Sequence, residues 1–368
     1  LNQARDAAEA IQVDYGELPA QISTAEANRS QTPALWLDCP DNEAVFAEAG
    51  DGAAVEAALA SAAHVIRETF VVNRLAASPM EPRAVVADFD AGRDLFTIHA
   101  CQQRPHVWRT MKPRHLFRIP ESAMRLIVGD VGGSFGMKGV LYPEVPLAAW
   151  ASKRLGRPVR WTCERSEGLL ADDQARDMVI KGELALADDG RFLAMRLAST
   201  NNLGAYVSMT GFVSTWLMPP TACGPYETPL IHGSAAGVLS NTMPVSNYRG
   251  PAGAPGSYVL ERLADMAAAR LGMDPAKIRR RNLIPAEAMP YALPTGGAYD
   301  SGNFGAVMEK CLSLGDYAGV VARKRDAVAR GRLRGAGIAT IIDASAAPSP
   351  EVAELRFDPG GTVTILVG

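Results

Sequence analysis

Closely spaced cysteines are missing from this 368-residue sequence, whose five cysteines stand alone and form no CxxC pair. Zinc and iron–sulfur sites need clustered thiolates, so the sequence predicts neither kind of site. Isolated cysteines in a long chain are usually small buried hydrophobes and are typical of the reducing cytoplasm, which is the localisation we expect. The five are Cys39, Cys101, Cys163, Cys223 and Cys311.

A long apolar run and a dominant charge are also missing. No stretch approaches the roughly 20 apolar residues of a membrane-spanning helix, and no signal-peptide pattern follows Leu1. The 37 basic and 40 acidic residues give a formal charge of −3, which argues against a dedicated surface for nucleic acid or anionic membranes. Because the sequence starts without Met and stops at Gly368 directly after a predicted strand, we expect both ends to be cuts in a longer chain.

Pairs of β-rich runs separated by short turns recur along the chain. Such local pairing favours antiparallel sheet over a doubly wound parallel one. The paired runs are 84–90 with 95–100, 178–186 with 192–199, and 354–358 with 362–367.

Helical patterns alternate with these runs. Residues 143–155 and 258–271 carry apolar side chains at helical spacing and end at a glycine. Asp274 followed by Pro275 is a typical start of another helix. With 48% hydrophobic residues, the chain can bury a sizeable core. We therefore predict an α+β fold with mixed layers of largely antiparallel sheet and helices.

Two changes in composition mark candidate domain boundaries. Residues 25–33 are polar and turn-rich, and residues 330–334 form a basic joint before a new β-rich run at 335–342. We expect a short leading piece at 1–28, a main domain at 29–330 and the start of another domain at 331–368.

A glycine-rich loop follows the strand-like residues 124–131 and comprises Gly132, Gly133, Ser134, Phe135 and Gly136. Small residues let backbone N–H groups approach an anionic or oxo ligand closely. The spacing does not match the dinucleotide-binding GxGxxG pattern. The alternative is a tight turn between a strand and a helix.

Two glutamines, Gln102 and Gln103, follow the predicted strand 95–100. A glutamine at a strand end can donate its amide N–H to a metal-bound oxygen without adding charge. The alternative is an ordinary polar surface turn. The five histidines show no metal-ligand spacing, so we expect no protein ligand to a metal: they are His64, His99, His106, His115 and His232.

A third loop, residues 244–253, is rich in glycine and proline and leads into the predicted helix at 258–271. A helix N-terminus behind such a loop forms an anion-binding corner. A solvated connection is the alternative.

In this order and spacing, the motifs resemble the large subunit of the xanthine dehydrogenase, aldehyde oxidase and aerobic carbon monoxide dehydrogenase family. The resemblance runs from about Val13 to Gly368. The residues that carry it are Met80, Glu81, Pro82, Arg83, Gln103, Pro105, His106, Gly133, Ser134, Phe135, Gly136, Lys138, Tyr142, Pro143, Glu144, Asn247, Tyr248, Arg249, Gly250, Glu261, Arg262 and Leu263.

The resemblance implies a molybdenum–molybdopterin cofactor, expected in its cytosine dinucleotide form, to which the protein gives no direct metal ligand. It implies that 1–28 is the tail of a hammerhead-type domain, 29–330 a first molybdopterin-binding domain and 331–368 the truncated start of a second. The expected cofactor-binding residues are Gln103, Gly133, Ser134, Phe135, Gly136, Arg249 and Gly250.

Family chemistry implies hydroxylation of an aldehyde or an aromatic N-heterocycle with oxygen from water, and transfer of electrons to [2Fe-2S] and FAD-binding partner subunits or domains in a dimer of heteromers. A glutamate acts as general base far toward the C-terminus in the family, beyond Gly368. We therefore assign no catalytic residue here and expect the piece alone to be inactive. A noncatalytic scaffold and an unrelated phosphate-binding protein remain alternatives.

The resemblance also bears on the substrate. The carbon monoxide enzymes place a copper-holding cysteine where this chain has Gly250, so we expect no CO oxidation. Purine oxidisers place an arginine in the segment that here runs from Ser214 to Met218. We predict an apolar substrate pocket formed by Trp216, Leu217 and Pro251, with core packing as the alternative for Trp216 and Met218.

Overall fold

A computed structural model describes residues 2–29, 32–343 and 352–367, without the side chains of 111–114. The strands are β1 (Glu43–Gly50), β2 (His64–Val72), β3 (Leu75–Ala76), β4 (Ala84–Asp90), β5 (Leu95–Ala100), β6 (Met124–Ile127), β7 (Val159–Thr162), β8 (Gln174–Ala175), β9 (Met178–Leu186), β10 (Phe192–Gly204), β11 (Leu230–Leu239), β12 (Tyr291–Ala292), β13 (Ala298–Tyr299), β14 (Ala353–Phe357) and β15 (Val363–Val367).

Helices connect these strands. The α-helices are α1 (Asn2–Glu9), α2 (Gly52–Ser61), α3 (Pro105–Lys112), α4 (Glu144–Leu155), α5 (Arg165–Ala171), α6 (Val213–Trp216), α7 (Gly253–Arg270), α8 (Pro275–Asn282), α9 (Phe304–Leu314) and α10 (Val320–Ala329). Short 3-10 or π turns cover Pro113–Phe117, Glu121–Ala123, Met137–Gly139, Pro219–Ala222, Ala286–Ala288 and Tyr317–Gly319.

The larger sheet has the strand order β1-β11-β10-β9-β2. Helix α7 packs on it, and Gly182 in β9 is the point of close approach. A Cβ at Gly182 would lie 2.8 Å from side-chain carbons of both Val259 and Leu263. These two residues are fully buried with Leu184 and Leu197 of the sheet. Each such side chain contributes about 1.5–3 kcal/mol of hydrophobic stabilisation, so this layer supplies much of the core.

The smaller sheet has the order β6-β5-β4-β7 and is covered by α4. Val145, Ala148 and Ala149 face the sheet from one stripe of the helix. The helix ends at Gly156, whose φ of 64° is a left-handed conformation that glycine adopts without strain. This layer positions the strand ends from which the motif residues project.

The predicted α+β class is confirmed, as are the three predicted hairpins: β4 with β5, β9 with β10, and β14 with β15. The sheets are largely antiparallel, although β10–β11 and β5–β6 are parallel pairs. In the described residues no helix is long and apolar enough to cross a membrane.

Three predicted elements differ from the structure. Helix α7 starts at Gly253 rather than at 258, because Pro255 is tolerated in a first helical turn. The strand predicted at 124–131 ends at Ile127. The β-run predicted at 335–342 was wrong: residues 332–343 contain no strand. There the N–H of Thr340 donates instead to the Glu261 carboxylate at 2.9 Å.

Candidate functional site

The two glutamines after β5 have different environments. Gln102 is buried and its Nε2 donates to the carbonyls of Lys138 and Val140, so it fixes the local backbone. Gln103 is exposed, and its Oε1 accepts a 2.5 Å hydrogen bond from the Ser134 hydroxyl. Its Nε2 has no acceptor in the described part of the chain. The second glutamine therefore touches the glycine-rich loop and keeps a free donor.

The backbone of the glycine-rich loop is held in an unusual conformation. Gly133, Phe135 and Gly136 have φ values of 98°, 57° and 108°. For Phe135 this left-handed conformation costs about 1–3 kcal/mol, which the surrounding structure must offset. Within residues 2–29, 32–343 and 352–367, the backbone N–H groups of Ser134, Phe135 and Gly136 find no acceptor. The loop thus offers consecutive N–H donors to an anionic or oxo ligand.

An ion pair between a buried lysine and a partly exposed glutamate supports the start of this loop. The Lys138 side chain is 1% exposed, and its Nζ lies 2.9 Å from Glu81 Oε2. The same carboxylate accepts the N–H of Gly132 at 2.7 Å. Burial raises the pKa of Glu81, but the hydrogen bonds from Lys138 and Gly132 outweigh it, so its pKa lies below the ordinary value. A Cβ at Gly132 would lie 2.5 Å from Glu81 Cβ, which explains the glycine there.

A second buried cluster supports the end of the loop. The Arg83 guanidinium pairs with Glu144 at 2.6 and 3.1 Å and with Asp172 at 2.6 Å. It also stacks 3.7 Å from the ring centre of Tyr142. Burial lowers the pKa of Arg83, but its carboxylate partners raise it above the ordinary value. The Tyr142 hydroxyl donates to the Met137 carbonyl at 3.3 Å, so the cluster reaches the loop directly.

The glycine-rich loop lies against the glycine- and proline-rich residues 244–253, which include Asn247, Tyr248 and Arg249 and form the second loop of the site. A Cβ at Gly136 would lie 2.3 Å from the Asn247 carbonyl oxygen, so only glycine allows this approach. The Arg249 N–H donates to the Phe135 carbonyl at 2.9 Å. The rings of Phe135 and Tyr248 have centroids 6.2 Å apart. The structure therefore brings the glycine-rich loop and the loop of residues 244–253 into direct contact. Gln103, from the remaining predicted motif, contacts the glycine-rich loop through Ser134.

The predicted pocket residues are less closely tied to these loops. Trp216 and Leu217, at the end of α6, are 61% and 39% exposed, whereas Met218 is fully buried in the core. The core alternative therefore holds for Met218 and fails for Trp216. Pro251 lies within the loop of residues 244–253, and its carbonyl accepts a hydrogen bond from Arg176 at 2.8 Å.

Sequence analysis missed Arg176, which holds the second loop by its carbonyl oxygens. An arginine between two β-rich runs is an ordinary surface pattern, so no local signal pointed to this role. The functions of Glu81 and Arg83 were also not assigned, although both stood in the motif series. In the described residues no group of three or more His, Cys, Asp or Glu residues is arranged to hold a metal ion.

One loop with three free N–H donors, the uncharged amide of Gln103 beside it and a second loop that carries an arginine form a site suited to an anionic cofactor. The family model of the molybdopterin cofactor-binding domain matches residues 37–283. The chain belongs to this family, as the order of motifs predicted.

Similar proteins cover nearly the whole chain. It is 32% identical, over 99% of its length, to the 6-hydroxypseudooxynicotine dehydrogenase complex subunit gamma of Paenarthrobacter nicotinovorans and to the carbon monoxide dehydrogenase large chain of Hydrogenophaga pseudoflava. It covers 46% and 49% of these relatives, and so spans about half of their length. The crystal structure of quinoline 2-oxidoreductase from Pseudomonas putida 86 superposes with a TM-score of 0.92 at 31% identity, over 98% of this chain and 48% of that one.

Proposed function

We propose that this chain is the cofactor-binding part of a molybdenum hydroxylase that oxidises an aldehyde or an aromatic N-heterocycle with oxygen from water. The observation that carries the proposal is the meeting of Gln103, the glycine-rich loop and the Arg249 loop at one place. The glycine-rich loop brings free N–H groups, Gln103 brings an uncharged amide, and the Arg249 loop brings a guanidinium.

The residues fit the molybdenum–molybdopterin cofactor. The free N–H groups of Ser134, Phe135 and Gly136 suit oxo, dithiolene or phosphate groups. The absence of a side chain at Gly136 lets the two loops approach closely. Gln103 adds a neutral donor, and Arg249 and Gly250 complete the proposed binding residues together with Gly133. We favour the cytosine dinucleotide form, as the family resemblance implies.

When bound, the cofactor would supply the two-electron oxidation and the oxygen transfer. This chain's own residues would bind and orient it. Gln103 Nε2 would donate a hydrogen bond to an oxygen on the metal, and its contact with Ser134 would fix the direction of the amide. A general-base carboxylate would come from outside the 368 residues, so catalysis needs the longer parent protein.

For the substrate we favour an aromatic N-heterocycle or aldehyde over CO. Gly250 offers no thiolate for a copper ion, which the resemblance places at this position in the carbon monoxide enzymes. Two relatives are named for aromatic nitrogen compounds: nicotine 6-hydroxylase and quinoline 2-oxidoreductase. Trp216, Leu217 and Pro251 would line an apolar pocket for such a flat substrate.

The proposed enzyme is cytoplasmic and works in a complex, as a dimer of heteromers. Relatives are named as subunits or large chains. Iron–sulfur and FAD-binding subunits or domains would carry electrons away from the molybdenum, and a permanent interface with them would bury on the order of 2,000 Å² or more.

We also propose the predicted division of the chain into a leading piece at 1–28, a first molybdopterin-binding domain at 29–330 and the start of a second at 331–368.

Cofactor analysis of the full-length protein from its native source tests the proposal. We expect about one molybdenum per chain by elemental mass spectrometry and release of CMP on acid hydrolysis. Gly136→Ala should lose molybdenum, because its Cβ would meet the Asn247 carbonyl. Gly296→Ala is the matched control: Gly296 has a similar φ of 96° but open space around it. A native protein without molybdenum, or equal retention by both variants, would contradict the assignment.

A further inference from the structure

Arg176 clamps the second loop through its backbone. Its NH1 donates to the carbonyls of Gly250 and Pro251, and its NH2 to the carbonyl of Arg249, all at 2.8 Å. The rigid fork of a guanidinium suits consecutive carbonyl oxygens, whereas a lysine ammonium has a single nitrogen. Arg176 also lies 5.4 Å from the ring centre of Tyr248. The contacts fix the conformation of three successive residues.

The backbone of Arg176 itself adopts a strained conformation. Arg176 and Asp177 have φ values of 65° and 64°, a left-handed conformation that is unfavourable for arginine and better tolerated by aspartate. Asp177 is held in place by Arg74 Nε at 2.8 Å, Asn202 Nδ2 at 3.1 Å and the Thr24 hydroxyl at 2.5 Å. Strain that the surroundings enforce in this way is characteristic of functional sites.

The clamp connects to the glycine-rich loop by short steps. Arg176 holds the carbonyl of Arg249, and the N–H of Arg249 donates to the Phe135 carbonyl at 2.9 Å. Ser134, next to Phe135, donates to Gln103 at 2.5 Å. A shift of the clamped loop would therefore move Phe135 and its neighbouring N–H donors.

We propose that Arg176 is a positioning residue of the cofactor site, which sets the Arg249–Pro251 loop against the glycine-rich loop. This inference rests on the proposed function for its effect on turnover. Its structural part, the clamp itself, is independent of the cofactor. Burial lowers the pKa of Arg176, and the nearby Tyr248 opposes this change. An arginine guanidinium nevertheless stays charged at neutral pH.

The test compares Arg176→Ala and Arg176→Lys with Arg196→Gln in the full-length holoenzyme. Arg196 is the matched control, because it is a partly buried arginine of β10 that pairs with Glu183 of β9 and Glu56 of α2. Hydrogen exchange measured by mass spectrometry is the first readout. We expect the Arg249 amide to exchange at least about tenfold faster in Arg176→Ala, with little change in Arg196→Gln.

Steady-state kinetics are the second readout. We expect kcat to fall about 10–100-fold in Arg176→Ala, as for other residues that orient a metal site. Added guanidinium ion at millimolar concentration should restore part of kcat, and Arg176→Lys should fall between the alanine variant and the wild type. An arginine that only holds the loop in place would show the localised exchange but neither the loss of kcat nor its rescue.

The outcomes separate the two proposals. Unchanged exchange at Arg249 in Arg176→Ala overturns the clamp, whatever the activity. Faster exchange without a loss of kcat, in a protein that contains molybdenum, overturns the positioning role. A wild-type protein without molybdenum refutes the proposed function, while the exchange experiment still decides whether the clamp exists.

Discussion

Removing the buried arginine of α8 should destabilise the protein strongly. Arg279 is fully buried, and its Nε lies 2.9 Å from Glu261 Oε2 while its NH1 lies 2.9 Å from Asp265 Oδ1. Arg279→Met leaves Glu261 buried without its cation. Breaking such a pair typically costs about 3–5 kcal/mol. Tyr226 and Thr340 still donate to Glu261, so we expect the lower end, about 3 kcal/mol.

Thermal unfolding of the full-length protein measures this cost. With about 2.1 cal/mol/K of unfolding entropy per residue, a unit of 368 residues shifts by about 1.3 °C per kcal/mol, so the midpoint should fall by roughly 4 °C. The control is Arg281→Met on the same helix, whose pair with Asp189 at 2.8 Å is partly exposed and worth less than about 1 kcal/mol. The double variant Glu261→Gln with Arg279→Met should recover part of the loss, because no buried charge remains unpaired. Equal shifts for Arg279→Met and Arg281→Met would refute the reasoning.

Three further predictions concern the site, pH and the partners. Gln103→Ala should lower turnover about 10–100-fold at unchanged molybdenum content, because it removes a donor beside the metal; near-normal kcat would argue against its role. Burial raises the pKa of Asp173 to about 6 from 3.8, so its stabilising effect is complete below 3.8 and is lost as pH rises through about 6. Asp173→Asn should remove that part of the pH dependence of the free energy of unfolding, which is on the order of 1 kcal/mol per pH unit. An unchanged pH profile would contradict this prediction. The active native enzyme should show the visible absorption of iron–sulfur centres and flavin, and the 368-residue piece alone should not oxidise aldehydes or N-heterocycles; a colourless active preparation would refute the electron path.

The elements that were predicted correctly from the sequence are set by interactions between residues close in the chain. The turn before β10 contains Gly190, whose φ of 85° suits glycine, and the first seven residues of β9 alternate buried with less buried positions. Asp274 caps α8 by accepting from the N–H groups of Ala276 and Lys277. Such signals lie within a few residues of each other, so a sequence contains them directly.

The elements that sequence missed depend on distant contacts. The parallel pairing of β10 with β11 joins strands that a long connection separates, and nothing local sets its register. Residues 335–342 have a β-rich composition, but a strand needs a partner for its N–H and C=O groups. The strained pair Arg176 and Asp177 is maintained by Arg74, Asn202 and Thr24, none of which is close in sequence.

The order of the motifs reflects a set of contacts between separate segments. Glu81 pairs with Lys138, Arg83 with Glu144, and Gln103 with Ser134. These three motif residues, which precede the glycine-rich loop, thus have partners in or just after that loop. A single motif therefore carries little information, because its side chain lacks the partner that gives it a structural role. The series is specific because both halves of each contact must be present at a distance the fold can close, and the same contacts place the free N–H groups of the loop beside Gln103.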